Sequence, residues 1–234
     1  MNSNYYVSQW AKFINESTVD DILNNSDGVS EADGADSPVY DGDEGICYVQ
    51  DGHFVWFDYD GNEIDPPETI DGNFNCSGES LTSLEGAPRM VKGNFSCGHC
   101  PNLTTLEGAP NVVYGFTCAY CTNLESLNHA PETVRDSFGC SNCPKLTTLE
   151  GAPREVGGDV ICSYCDSLTS LEGAPREVGG DFDCRHSPNL TTLKGAPDIV
   201  RGVFYADSCP KVTSLEGIGN VMGNVYLNNK LMSK

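Results

Sequence analysis

The chain has 234 residues, with 34 Asp and Glu against 13 Lys and Arg, for a formal charge of −21. That length holds one large domain or two small ones and buries a real core, while the charge repels nucleic acid and anionic membranes and so argues against direct contact with either. No run of ~18 apolar residues is present, and the opening MNSNYYVSQWAKF has neither a basic leader nor an apolar stretch before a cleavage site, so a soluble, unexported, cytoplasmic protein is expected.

The charge is uneven. Residues 1–75 hold 17 acidic residues against the single basic Lys12, giving −16, and residues 76–234 hold 17 against 12, giving −5. Such a field attracts basic surfaces, including protein sites that ordinarily hold nucleic acid; its simplest use is solubility. In chain order, residues 1–25 read as a helical segment, with Trp10 and Phe13 three apart on one side of Tyr5 to Leu23 and a helix start at Ser17 or Thr18. Residues 26–45, SDGVSEADGADSPVYDGDEG, carry few large apolar side chains and many acids and read as an acidic linker. Residues 46–64 contain CYVQDGHFVWFDY, two β-rich runs around Asp51-Gly52, which predict a hairpin capping the coil that begins near residue 65.

Residues 65–234 repeat. Prolines 67, 88, 110, 131, 153, 175 and 197 lie 21 or 22 residues apart, and Ile218 stands where an eighth is due. Each unit runs from Pro to Val or Ile three on, then an aromatic or Val, Cys two later, Cys three later, and Leu-x-x-Leu. A fixed period of this size signals a solenoid. Stretches such as Phe182-Asp183-Cys184 alternate inward and outward as a strand does, and Gly and Pro turn the chain back. Stacking coils ~4.8 Å apart pairs these strands in parallel and lines an interior with Val, Phe, Cys and Leu columns. The period leaves no room for a full helix, so the returns are expected as loops or short helical turns and the fold as mainly β, a parallel-strand solenoid. The irregular Asn128-His129-Ala130-Pro131 suggests a local bulge, and residues 225–231 a final partial turn.

The order Phe-x-Cys-x-x-Cys-x-x-Leu-x-x-Leu resembles the leucine-rich repeats, nearest the bacterial subclass with Phe-x-x-Cys-x-x-Leu. The wording Leu-x-Ser/Thr-Leu-Glu-Gly-Ala-Pro is also similar to short repeat proteins of large tailed bacteriophages. The resemblance covers about residues 65–231 and implies protein binding; if it extends to the bacteriophage proteins, it implies the host cell cytoplasm and a host partner.

Four Cys-x-x-Cys pairs occur, at Cys97/Cys100, Cys118/Cys121, Cys140/Cys143 and Cys162/Cys165, and their spacing suits a zinc ribbon. The same columns hold Ala206 and Leu227 in the first position and Glu79 and Ser187 in the second. Structural cysteine ladders are therefore the leading reading, with zinc held by these columns the alternative. Neither a cofactor nor an enzymatic activity is expected: His53, His99, His129 and His186 form no His-x-x-x-His pair, and there is no phosphate loop or Gly-x-Ser-x-Gly.

Positions that vary between coils are free to serve a partner. One column runs Asn75, Ser96, Thr117, Gly139, Ile161, Asp183, Tyr205; another runs Gly78, His99, Tyr120, Asn142, Tyr164, His186, Ser208. Both are expected to face outward, making His99, Tyr120, Tyr164 and His186 a stripe suited to amphipathic contacts. An edge ladder of Glu85, Glu107, Glu150, Glu172 and Glu216 is balanced, on this reading, by Arg89, Arg154 and Arg176 four residues after it. The leading function is a non-enzymatic binding module for a protein with a basic surface, with candidate contacts at His99, Tyr120, Tyr164, His186, Asp183 and Tyr205. In the acidic part the candidates are Trp56, Tyr59, Asp41, Asp43 and Glu44. A structural or assembly role is the remaining alternative, and oligomeric state is left open.

Overall fold

The computed structural model describes residues 38–232. The helix read over Tyr5 to Leu23, and the linker as far as residue 37, lie outside them. Among the described residues there is no helix.

The first four strands form an antiparallel meander: β1 (Tyr40–Gly42), β2 (Gly45–Gln50), β3 (His53–Phe57) and β4 (Glu63–Ile64). β2 and β3 join through Asp51 and Gly52, both at positive φ (51° and 82°), the backbone that matches the twist of a two-residue hairpin. The meander is wider than the hairpin read from residues 46–64. Tyr40 pairs with Cys47 and Asp41 with Ile46, so a strand lies inside the segment that composition marks as linker.

From Thr69 onward each coil contributes two short strand segments. The first coil gives β5 (Thr69–Ile70) and β6 (Phe74–Asn75); the next two give single strands, β7 (Met90–Ser96) and β8 (Val112–Thr117). Then come β9 (Thr133–Val134), β10 (Phe138–Gly139), β11 (Glu155–Val156), β12 (Val160–Ile161), β13 (Glu177–Val178) and β14 (Phe182–Asp183). The last are β15 (Ile199–Val200), β16 (Phe204–Ala206), β17 (Asn220–Val221), β18 (Val225–Leu227) and β19 (Lys230–Met232). All pair in parallel with the equivalent segment of the neighbouring coil, except β19, which folds back antiparallel on β18. The register slips on both sides of β8, against β7 between Val91 and Asn94 and against the next coil between Val134 and Phe138, because Pro110 to Phe116 is one residue shorter than Pro88 to Phe95 or Pro131 to Phe138.

The interior is a set of columns. Phe74, Phe95, Phe116 and Phe138 stack with centroids 5.4, 5.5 and 6.0 Å apart, Val160 interrupts, and Phe182 stacks on Phe204 at 5.1 Å. Val, Cys and Leu columns flank them, almost all fully buried. Burial of this apolar surface, about 25 cal/mol per Å², is what a single coil cannot achieve and a stack can. The returns turn on glycines such as Gly173, whose φ is +87° and whose position would place a Cβ 2.3 Å from the Glu150 backbone nitrogen. His129 takes that glycine place at φ 72°, and Ala130 N still bonds Leu127 O at 3.0 Å as in the other returns. The bulge expected at Asn128 to Pro131 is thus absent; the return keeps its shape with His129 in left-handed backbone.

The meander closes the open end of the stack. Trp56, 1% exposed, lies against Tyr40 and Phe74 at 5.6 and 6.0 Å, Phe54 meets Phe74 edge-on, and the Trp56 indole N–H donates to Gly86 O at 2.8 Å.

Candidate functional site: the strand-side surface of the coils

Each Cys-x-x-Cys spans one corner of a coil. The first cysteine directly follows the strand, and one further residue leads into the turn. The third, at His99, Tyr120, Asn142, Tyr164 or His186, adopts left-handed backbone with φ between 56° and 63°. Its N–H bonds the next coil, for example Tyr120 N to Ser141 O at 2.8 Å and His186 N to Asp207 O at 2.9 Å. That reversal turns the second cysteine inward. Its thiol donates to the carbonyl of the preceding coil's first cysteine: Cys121 to Cys97 O at 3.1 Å, Cys143 to Cys118 O at 3.3 Å, Cys165 to Cys140 O at 3.3 Å. First-column thiols donate the other way, toward the next coil, as Cys97 does to Thr117 O at 3.4 Å and Cys162 to Asp183 O at 3.3 Å.

The two thiols of a motif therefore belong to different columns and bond in opposite directions along the axis. Among the described residues no three His, Cys, Asp or Glu side chains converge as a metal-ligand set. Burial pushes the thiols of Cys97, Cys118, Cys140 and Cys162 well above the ordinary range, Cys143 to about 12 and Cys165 to about 11, which keeps them protonated as donors.

Ser187 takes the second-cysteine place in its coil and is fully buried, with no partner for its hydroxyl among the described residues. A C–O bond is shorter than a C–S bond and falls short of the carbonyl that a thiol reaches. Ser187→Cys is expected to stabilise the protein by roughly 1–2 kcal/mol, the scale of an unpaired buried hydroxyl. An unchanged or lower denaturation midpoint counts against this account.

Outward, the corner column carries the stripe. His99 and Tyr120 stack at 4.3 Å and 7°, and Tyr164 and His186 at 4.4 Å and 11°; Asn142 separates the pairs. Tyr120 and Tyr164 are about half exposed. Left-handed backbone favours Gly or Asn, as at Gly78 and Asn142, and costs other residues roughly 1–2 kcal/mol. Ring stacking offsets about 0.5–1.5 kcal/mol of that per pair.

The strand column is less open than expected. Asp183 is 9% exposed because Arg185 covers it, with Nε to Oδ1 at 3.0 Å and Nη2 to Oδ2 at 2.7 Å. The Arg185 guanidinium lies 4.7 Å from the Tyr205 ring centre, and Tyr205 stacks on Tyr226 at 5.6 Å. Arg185 is the residue that sequence reasoning missed; its place two residues after Asp183, just past the end of β14, was the available signal.

In the acidic part the sites divide. Trp56 is core, spent on joining meander to solenoid, and offers no surface to a partner. Tyr59 is 65% exposed, and its hydroxyl donates to Asp41 Oδ1 and to Gly42 O, both at 2.9 Å. Glu44 accepts from the Tyr40 hydroxyl, and Asp43 is exposed. The structure thus brings Asp41 and Tyr59 together, but leaves them remote in sequence from the stripe.

Ion pairs also differ from the balance expected within each return. Arg89 reaches Glu68 (3.6 Å), Arg176 reaches Asp198 (3.2 Å), and Lys194 reaches Glu172 (2.9 Å). All three link neighbouring coils, and Arg154 forms no ion pair among the described residues. Stacking brings residues about 21 apart to within one rung, whereas four positions along a non-helical return point apart. These pairs are exposed and worth little each. No helix among the described residues is long and apolar enough to cross a membrane. Comparison of the chain with models of protein families, with curated proteins and with solved structures finds no match.

Proposed function

We propose that the chain is a non-enzymatic protein-binding repeat protein, similar to leucine-rich repeats, that presents its strand-side surface to a partner with a basic face. The observation that carries this reading is the aromatic column. Two His–Tyr pairs stand exposed at backbone positions where Gly or Asn is cheaper, and strain of that kind collects where a surface is used. Exposed Tyr rings on a rigid scaffold give contact area at small entropic cost.

The charge favours a basic partner. Residues 38–75 hold ten acidic residues and no Lys or Arg, and among the described residues only Glu68 and Asp71 of these form ion pairs. On the bacteriophage resemblance, the partner is a host protein that handles nucleic acid or serves defence, met in the host cytoplasm and blocked by an acidic decoy.

The test is capture from bacterial lysate. The full chain, a chain beginning at residue 38, which keeps the meander over the first coil, and a Tyr120→Asn/Tyr164→Asn variant are compared. Asn tolerates left-handed backbone, so the variant's thermal midpoint is expected within a few degrees of the parent. Loss of one basic protein from the Asn variant, with association that weakens steeply in salt, is the expected result. Retention by the variant removes the stripe as the site, and salt-indifferent binding removes the decoy.

A further inference from the structure

A depression of about 210 Å³ opens on the strand side of the later coils, lined by Asp159, Ile161, Asp181, Asp183, Arg185 and Tyr205, with Val160 at its base. Its three carboxylates are held differently. Asp183 is fully engaged by Arg185. Asp159 accepts Asp181 N on Oδ1 at 2.7 Å, and Asp181 accepts Val203 N on Oδ1 at 2.7 Å. Each is thereby fixed by the backbone of the next coil while its second oxygen carries no hydrogen bond or ion pair among the described residues.

With one guanidinium against three carboxylates, the depression keeps a charge of −2. Ile161, 39% exposed, and the Tyr205 ring supply apolar wall beside the charge. The site already accommodates one guanidinium, the chain's own Arg185, in a bidentate pair and over an aromatic face, the two contacts that suit an arginine side chain.

We propose that this depression takes a single side-chain cation, an arginine or lysine of a bound protein, with the methylene stem along Ile161 and the head group between the free oxygens of Asp159 and Asp181. The backbone bonds place both carboxylates before the ligand arrives, so little ordering is left for binding to impose. This deepens the binding-module reading and rests on it for the protein that carries the cation.

The probe is Nα-acetylarginine amide, followed by amide chemical shifts in the full chain, with Nα-acetyllysine amide beside it and the neutral Nα-acetylcitrulline amide as control. Saturating shifts confined to residues near 159–161, 181–183 and 203–205, with a Kd of about 1–10 mM, are expected for the cations and none for citrulline. Asp159→Asn/Asp181→Asn keeps an amide oxygen for each backbone N–H but removes the charge, and is expected to weaken the probe at least about tenfold, or 1.4 kcal/mol. Ile161→Lys fills the depression with the chain's own cation and blocks the probe without touching the ladder. Glu150→Gln/Glu216→Gln removes two charges elsewhere and leaves binding unchanged.

Equal shifts with citrulline, shifts spread equally over Asp41 and Asp58, or undiminished binding by Ile161→Lys would overturn the proposal. A lysate partner held equally by the parent and by Asp159→Asn/Asp181→Asn also overturns it and leaves the binding module standing. Specific probe binding with no partner captured supports the depression and removes the wider reading.

Discussion

Raised from pH 8 to about pH 10.5, the protein is expected to unfold in one steep transition, because seven of its buried cysteines hold their protons in the fold and release them in the unfolded chain. Burial places Cys76, Cys97, Cys118, Cys140 and Cys162 well above the ordinary thiol range, Cys143 at about 12 and Cys165 at about 11. An unfolded thiol titrates near ~8.5. Below that value both states are protonated and the stabilisation is whole. Above it the unfolded chain binds fewer protons than the folded one, so stability falls with every further rise in pH until the folded groups titrate in their turn. Each thiol contributes about 1.4 kcal/mol per pH unit. The seven together remove about 10 kcal/mol per unit once the unfolded thiols are ionised, against a total stability on the order of 5–15 kcal/mol. Circular dichroism against pH checks the transition, and a thiol reagent at pH 8 is expected to find these cysteines unreactive until denaturant is added. A native spectrum retained at pH 10.5 would show that the columns are less isolated from water than their burial indicates.

The same columns explain which parts of the protein could be read before its structure. Period, strand and core are written in the positions that vary least between coils: Pro, Val, Phe, Cys and the two Leu recur because each packs against the same position one rung away. The corner column was legible as variable, yet not as left-handed, although Gly78 and Asn142 within it carry that hint; the aromatics at His99, Tyr120, Tyr164 and His186 disguise it. Contacts between coils were the least legible. Arg176 with Asp198, or Asp159 with the Asp181 nitrogen, are neighbours only through stacking, and a reading confined to one repeat looks for partners along the chain. β1 was hidden for a compositional reason: Tyr40-Asp41-Gly42 sits among acids and glycines and gains its strand from pairing with Ile46 and Cys47, not from its own propensity.

Trp56→Ala is expected to cost about 3–5 kcal/mol, the range for a large aromatic removed from a core, and to spend that loss at one end of the molecule. The indole fills the space between Tyr40 and Phe74 and donates to Gly86 O; without it the meander loses its main hold on the first coil, and Phe74 and the outer edge of β6 meet water. Coils touch only their neighbours, so stability in such a stack is close to a sum of local terms. Hydrogen exchange should therefore accelerate at amides from about Ile70 to Cys97, while Val178 to Phe204 keep their protection. Trp56→Phe, which keeps most of the packing and loses the indole donor, should show a smaller loss over the same residues, on the order of 1–2 kcal/mol. The distribution decides more than the size. A uniform loss of protection along all coils would mean that the aromatic and cysteine columns bind the solenoid into one cooperative unit, in which case a partner docked on the strand side at Tyr164 would also be stabilised by the cap at Trp56. A loss confined to the first coils would separate the two, leaving the acidic meander free to change without disturbing the strand-side surface of the later coils.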